Sequence, residues 1–132
     1  MLPELPRVLN KKEANWTTTV FRKWLEQKGI TAVWEIKYSK TNSLPFSAVA
    51  NHQAQSLWNV RHKTFVFKIP DMGEKLPFDM FSLKEQPAYV AIKYPKGVAI
   101  IPIDIFLLEE SRSKRRSLTY ERAMQLSTIS FD

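Results

Sequence analysis

Glu35 and Lys37 are the residues whose types and spacing most directly point to chemistry. They lie in the stretch 32–39, whose β-branched and aromatic residues predict a strand. Because strand side chains alternate between faces, Glu35 and Lys37 share one face and stand side by side. A carboxylate there can bind a divalent metal, and the adjacent amine can orient or deprotonate an attacking water. The opposite, apolar face carries Trp34, Ile36 and Tyr38.

The same two residues also have a purely structural interpretation. On an exposed strand face, a Glu-x-Lys pair is usually solvated and contributes less than about 1 kcal/mol. A chemical role for Glu35 and Lys37 therefore depends on what the neighbouring elements bring beside them.

A second carboxylate lies on the helix that precedes this strand. Apolar residues at helical spacing predict a helix over 11–28, and Gly29 is a typical signal for its end. Glu13 lies three residues before Trp16 and seven before Val20, which places it on the predicted inward stripe. A carboxylate at the end of a buried stripe requires a partner. The alternative is an acid in the first turn that interacts favourably with the helix dipole.

Composition limits the kinds of site that the chain can build. Its 132 residues, 44% of them hydrophobic and only three of them glycine, predict one folded domain. The absence of cysteine excludes disulfides, thiolate zinc sites and cysteine nucleophiles, and two histidines exclude a histidine-rich metal site. The sequence has neither an apolar run long enough to span a membrane nor a signal-peptide pattern, so we expect a cytoplasmic protein without membrane contact.

The charge balance favours a polyanionic partner. The formal net charge is +7, from 20 Lys and Arg against 13 Asp and Glu. Nucleic acid is the first candidate and an anionic membrane surface the second. The best candidates for phosphate contacts form a basic run, which has the alternative of being a solvated loop. This run consists of Arg112, Lys114, Arg115 and Arg116.

The remaining pattern predicts a single α/β domain over residues 1–132. A second helix is predicted over 47–61, with Ser47 as its N-cap, and it carries His52 and Gln53. The order of elements indicates a mixed central sheet flanked by helices, with at least one parallel crossover. The other predicted elements are strands 64–69, 79–83, 88–94 and 98–103 and helices 104–110 and 117–127, the last capped by Ser117 or Thr119.

Three features together resemble a known nuclease superfamily. They are Glu13 on a first helix, Glu35-Ile36-Lys37 on a strand, and a Ser-Leu-Pro-Phe turn at 43–46 that leads into a helix carrying His52-Gln53. This order resembles the PD-(D/E)XK nucleases. The stretch 34–53 looks most like the Holliday-junction resolvases of the RecU and archaeal Hjc type and related small phage nucleases. The resemblance implies a restriction-endonuclease-like fold and, if the gene belongs to a phage, a place in the host cytoplasm.

The resemblance also implies roles for individual residues. Glu35 would be a metal ligand, and Lys37 would position or deprotonate the attacking water. Glu13 would be the first-helix acid that completes the site. Gln53 would steady the site or contact the DNA backbone. The cofactor would be Mg²⁺ or Mn²⁺, and the reaction would be hydrolysis of a DNA phosphodiester.

The sequence departs from this family at one point. The family has an aspartate on a strand just before the Glu-x-Lys strand, and no aspartate occurs here before Asp71. Asp71 or Asp79 can complete the metal site from a later loop, although acids beside Gly and Pro are commonly turn formers. A second possibility is a metal held by Glu13, Glu35 and phosphate alone. A third is that catalysis has been lost and only DNA binding remains.

Further DNA contacts are predicted around the strand and the second helix. Ser43 and Thr41 can donate to phosphate, Lys40 adds positive charge, and His52 lies beside Gln53. None of them reads base sequence in an obvious way, which suits a structure-selective enzyme. The resemblance implies a homodimer, because a four-way junction requires two symmetric cuts. The alternatives are a catalytically inactive DNA-binding or recombination-accessory module and a nuclease that cuts ordinary duplex or flaps.

Overall fold

A computed structural model describes residues 12–68 and 79–132 of the chain. None of the helices in these two ranges is long and apolar enough to cross a membrane. The described ranges contain two short helical turns. One is a π-helical turn (Thr17–Phe21) inside the first helix, and the other is a 3₁₀ turn (Phe46–Ala48). The elements are α1 (residues 12–28), β1 (Val33–Tyr38), β2 (Ser43–Pro45), α2 (Asn51–His62), β3 (Thr64–Lys68), β4 (Met80–Lys84), β5 (Ala88–Lys93), β6 (Val98–Pro102), α3 (Ile103–Arg112), β7 (Ser117–Thr119) and α4 (Tyr120–Leu126).

The central sheet of the described chain is mixed and has the strand order β1-β5-β6. Strand β1 runs parallel to β5, with Glu35 opposite Val90, and β6 runs antiparallel to β5. The predicted mixed sheet with a parallel crossover is therefore confirmed. The order of elements indicated one sheet, but within the described residues β3 and β4 pair with each other and not with the central sheet. Strands β2 and β7 likewise form a separate antiparallel ladder.

Both faces of the sheet are covered by apolar packing. One face, which includes Val33, Val90 and Ile92, packs with the inner sides of α2 and α3. The other face packs against an aromatic cluster in which the Phe21 and Trp34 rings meet edge to face, with their centroids 5.2 Å apart. Glu35 and Lys37 project on the first face. The aromatic cluster also contains Trp16, Trp24 and Phe131.

The π-helical turn changes which side chains of α1 are buried. Helix α1 ends at Gly29, as predicted, where a φ of +66° takes the chain out of the helix. The predicted burial of Val20 is wrong, because its exposed fraction is 44%. A π-helical turn contains one residue more than an α-helical turn. Phe21 instead of Val20 therefore follows Trp16 on the inward side.

The N-terminus of α2 differs from its prediction. The chain forms the 3₁₀ turn around Ser47, and α2 begins only at Asn51, so the prediction that Ser47 is the N-cap is wrong. Ala50 occupies the cap position and has no side-chain acceptor. Gln53 compensates in part, because its Oε1 accepts a hydrogen bond of 3.0 Å from the Ala50 N–H.

At the C-terminus, one of the two predicted caps is confirmed. The Thr119 Oγ1 accepts a hydrogen bond of 3.2 Å from the Arg122 N–H at the start of α4. Ser117 is not a cap but the first residue of β7, where it pairs with Pro45. The β2–β7 ladder thereby ties the segment before α2 to the segment before α4.

Candidate functional site

One pocket of about 540 Å³ collects residues from α1, β1 and α2. It lies at β1, which in the described ranges pairs along one edge only, with β5. All four residues predicted to be catalytic line this pocket. Its lining consists of Glu13, Ala14, Thr17, Thr18, Glu35, Ile36, Lys37 and Gln53.

The Glu35 carboxylate and the Lys37 ammonium form an ion pair inside the pocket. Their N–O distance is 3.3 Å, and their side chains are 24% and 18% exposed, respectively. Strand alternation brings the two side chains together, and the parallel register fixes Lys37 opposite Ile92. The two side chains are therefore much less exposed to solvent than those of an ordinary Glu-x-Lys pair on a strand surface.

Glu13 is electrostatically coupled to this ion pair. Burial raises the pKa of the Glu13 carboxyl, the Lys37 ammonium lowers it in part, and the negative charge of Glu35 raises it further. The net pKa shift is upward from the usual value of 4.5. Lys37 pairs with Glu35, and Glu13 adds a second carboxylate to the same pocket, so the three side chains carry an excess of negative charge, which favours binding of a cation.

Gln53 presents a donor to the pocket. Its Oε1 is occupied by the Ala50 N–H at 3.0 Å, and this contact fixes the orientation of the amide. Among the described residues the Gln53 NH₂ has no hydrogen-bond partner, so this donor is available to a pocket ligand. An amide NH₂ can donate to a phosphate oxygen or a water but cannot coordinate a metal.

The pocket wall on α1 contains two residues that the sequence reasoning missed, Thr17 and Thr18. The Thr17 hydroxyl donates to the Glu13 carbonyl at 2.8 Å, and that of Thr18 donates to the Ala14 carbonyl at 2.9 Å. Both bonds run back along the helix beside the π-helical turn, and π-helical turns are frequent at functional sites. The available signal was a run of three threonines, which have low helix propensity, between Trp16 and Phe21 on the helix that carries Glu13.

The described residues supply only two carboxylates to the pocket. Asp79 is exposed and does not line it, and Asp71 lies outside the described residues. Within residues 12–68 and 79–132 there is no group of three or more acidic or histidine side chains that can hold a metal. Mg²⁺ is commonly bound through one or two carboxylates together with water and substrate phosphates. Glu13 and Glu35 can supply two such carboxylates, and the substrate phosphate would then supply the remaining protein-independent ligands together with water.

The predicted DNA contacts lie on segments joined by the β2–β7 ladder. Lys40, Thr41 and His52 are exposed, and Ser43 is half-buried and pairs with Thr119. The basic run begins at the last residue of α3 and ends directly before β7. The Arg116 carbonyl accepts a hydrogen bond of 3.0 Å from the Phe46 N–H, just before α2. The basic side chains Arg112, Lys114, Arg115 and Arg116 are all exposed.

Comparisons of the chain with protein-family models, with curated proteins and with solved structures gave no match. A proposal for the function of this chain therefore rests on the side chains around the pocket, on the charge distribution of the chain and on the resemblance of the stretch 34–53 to Holliday-junction resolvases.

Proposed function

We propose that this protein is a metal-dependent DNA endonuclease built on a restriction-endonuclease-like fold. The single observation that carries the proposal is the grouping of Glu13, Glu35, Lys37 and Gln53 around one pocket. These residues come from three different elements, and two of the elements approach β1 from opposite faces of the sheet. A solvated Glu-x-Lys pair has no need of a second carboxylate and an amide donor beside it.

Each of the four side chains has a part that its chemistry supports. Glu35 and Glu13 would hold Mg²⁺ or Mn²⁺, which when bound supplies Lewis acidity and lowers the pKa of a coordinated water. Lys37 would orient the attacking water or the scissile phosphate, because Glu35 fixes its ammonium at 3.3 Å. Gln53 would donate its NH₂ to a phosphate oxygen.

DNA is the substrate that the charge distribution supports best. The net charge of +7 and the exposed basic run 112–116 suit a polyanion. The resemblance to junction resolvases makes a four-way junction the first substrate to test and a homodimer the expected assembly. A general duplex or flap nuclease differs only in which substrate the protein cuts.

A catalytically inactive DNA-binding module is the second candidate function. It is favoured by the number of carboxylates, because the described part of the pocket has two and the related enzymes carry a further aspartate on a preceding strand. In that case Lys37 neutralises Glu35 permanently, and Glu13 only closes the pocket.

The deciding experiment is cleavage of a labelled four-way junction beside matched linear duplex and flap DNA. Each reaction is run with Mg²⁺, with Mn²⁺ and with EDTA, using the wild type and Glu35→Gln. Paired symmetric cuts in the junction that disappear with EDTA and with Glu35→Gln support a resolvase. Cuts in all three substrates support a general nuclease, and salt-sensitive binding without any cleavage supports the binding module.

A matched control separates loss of a ligand from loss of a charge. Glu26→Gln also removes one carboxylate from the same region of the chain, but Glu26 is exposed and pairs with Arg22 on α1 at 3.0 Å. The control variant should cleave like the wild type. If Glu26→Gln and Glu35→Gln reduce cleavage equally, the pocket is not the active site.

A further inference from the structure

Thr17 and Thr18 are the neutral polar side chains that α1 contributes to the pocket. The Thr17 hydroxyl donates its proton to the Glu13 carbonyl at 2.8 Å, and the Thr18 hydroxyl donates to the Ala14 carbonyl at 2.9 Å. A hydroxyl has one proton to donate and two lone pairs that accept. Because both protons are already donated to the helix backbone, the two oxygens offer a pocket ligand only acceptors.

The described side chains of the pocket differ in what their elements offer to a ligand. Helix α1 presents acceptors, which are one carboxylate and the two hydroxyl oxygens. The β1 and α2 side presents the Lys37 ammonium, which pairs with Glu35 at 3.3 Å, and the NH₂ group of Gln53. The wall formed by α1 therefore suits a ligand that only donates hydrogen bonds, whereas the donors on β1 and α2 suit a phosphate oxygen.

Water bound to a divalent cation is a ligand that only donates. Mg²⁺ keeps several waters when a protein supplies one or two carboxylates, and the charge of the ion polarises their O–H bonds. Such a water directs its oxygen to the metal, so it meets the protein through its protons. A hydroxyl that already donates a hydrogen bond is also the stronger acceptor, because linked hydrogen bonds polarise one another.

We infer that Thr17 and Thr18 are positioning residues that accept hydrogen bonds from the water shell of the metal ion. Glu13 and Glu35 are the two carboxylates that the described residues bring to the pocket, so the waters of the ion need further acceptors from the protein. Two neutral oxygens supply them without adding negative charge beside the carboxylates. This inference rests on the proposed metal-dependent function and specifies which wall of the pocket holds the hydrated side of the ion.

A purely structural role of the two hydroxyls is the alternative. Threonine side chains inside helices bond to the carbonyl four residues earlier without any ligand. Thr19 makes the same kind of bond to the Asn15 carbonyl in the same π-helical turn, but it is exposed and does not line the pocket. A comparison with Thr19 therefore separates an effect on the helix backbone from an effect on a pocket ligand.

The test is binding of Mn²⁺ to the full chain, measured by electron paramagnetic resonance without and with a thymidine dinucleotide that supplies a phosphodiester. Thr17→Val and Thr18→Val replace a hydroxyl by a methyl group of similar size, and Thr19→Val is the matched control. We expect each pocket variant to weaken Mn²⁺ binding about fivefold, the effect of one lost hydrogen bond. The control should bind like the wild type, and Thr17→Ser, which keeps the hydroxyl, should retain the wild-type affinity.

A second probe distinguishes contact through water from direct coordination. Hexaamminecobalt(III) carries ammines that donate hydrogen bonds as bound water does, and they do not exchange for protein ligands. The wild type should bind this ion in competition with Mn²⁺, and Thr17→Val and Thr18→Val should each bind it about fivefold more weakly. Thermal unfolding establishes that each variant is folded, and a variant that does not fold is replaced by the serine variant at the other position together with its valine counterpart.

Three results overturn the inference and leave the proposed nuclease function intact. The first is an unchanged Mn²⁺ affinity of both pocket variants, and the second is an equal loss in Thr19→Val, which assigns the effect to the helix backbone. The third is weaker binding of Mn²⁺ but not of hexaamminecobalt(III), which assigns the hydroxyl oxygens to the metal itself.

Two further results decide between the inference and the function on which it rests. Absence of Mn²⁺ binding by the wild type, both without and with the dinucleotide, overturns the inference and the metal-dependent function together. Weaker binding of both ions by Thr17→Val and Thr18→Val, in a protein that cleaves no DNA with Mg²⁺ or Mn²⁺, supports the inference and contradicts the nuclease function.

Discussion

The Lys37 ammonium lies 3.3 Å from a carboxylate oxygen of Glu35, and neither side chain is more than a quarter exposed. The two residues belong to β1, which has a single strand neighbour in the described chain. The ion pair is therefore accessible from the pocket side, where Glu13 and Gln53 also lie. Under the proposed function, this ion pair and the second carboxylate beside it would bind a metal ion together with a phosphate.

Replacing Lys37 should separate metal binding from cleavage. In Lys37→Met the ammonium is lost, so the two carboxylates retain or increase their affinity for Mn²⁺, measured by electron paramagnetic resonance. Cleavage should fall by about 10²–10⁴-fold, the usual contribution of a positioned acid–base group. Lys23→Met, at an exposed position on α1, is the control and should change neither property. Unchanged cleavage by Lys37→Met would remove the lysine from the mechanism.

Replacing Glu13 should raise stability at neutral pH when no metal is present. The pKa of Glu13 is raised in the folded state, mainly by burial, so the folded state binds this proton more tightly than the unfolded state. The free energy of unfolding therefore falls as the pH rises from 4.5 through the folded pKa. Glu13→Gln lacks this loss, so its melting temperature should exceed that of the wild type at pH 7 and match it below pH 4.5.

Adding Mg²⁺ should reverse the order of these two proteins. A ligand that binds only the folded state stabilises it by about 1.4 kcal/mol at tenfold excess over its dissociation constant. The wild type gains this stabilisation, and Glu13→Gln, which lacks one carboxylate, gains less. If Mg²⁺ shifts the melting temperatures of both proteins equally, Glu13 is not a ligand.

Local signals predicted the two elements that carry the acidic residues. Gly29 ends α1 because only the left-handed backbone at φ +66° takes the chain out of the helix there, and glycine adopts it without strain. The alternation around Glu35 predicted the strand and its two faces. Glu13, Glu35, Lys37 and Gln53 line one pocket, and their roles there stay predictions.

The sequence pattern did not predict which strands pair with each other or where the helices depart from regular geometry. Nothing local specifies that β1 pairs with β5, which follows it by about fifty residues, or that β3 and β4 form their own ladder. The π-helical turn was missed because α-helical spacing was assumed through the threonine run, which misassigned Val20. Ser47 was misassigned as a cap because the 3₁₀ turn delays the start of α2.

Removing Val20 should be tolerated, although deletions inside helices are usually disruptive. The π-helical turn accommodates one extra residue, so its removal leaves Trp16 and Phe21 four positions apart, on the same face of a regular α-helix. We expect stability within about 1 kcal/mol of the wild type, measured by urea unfolding.

The matched comparison for this deletion is removal of Lys23, which is also exposed but lies in the α-helical segment of α1. That deletion rotates Phe21 relative to Trp24 by about 100° and takes one of them out of the aromatic cluster. It should cost about 3 kcal/mol or more, comparable to losing a buried aromatic side chain. If both deletions cost the same, the π-helical turn does not accommodate the extra residue.

Neutralising the basic run should weaken DNA binding without altering its selectivity. Lys114 and Arg115 are exposed and lie between α3 and β7, so their charges are free to contact phosphates. Each phosphate contact releases counterions and contributes about −0.9 to the slope of log K against log salt for duplex DNA. The variant Lys114→Gln, Arg115→Gln should therefore reduce that slope by nearly 2, with a proportional loss of affinity for every substrate. Arg22→Gln, which removes an exposed arginine of α1 already paired with Glu26, should leave the slope unchanged. An equal effect of both variants would mean that net charge alone, and not the 112–116 run, attracts the DNA.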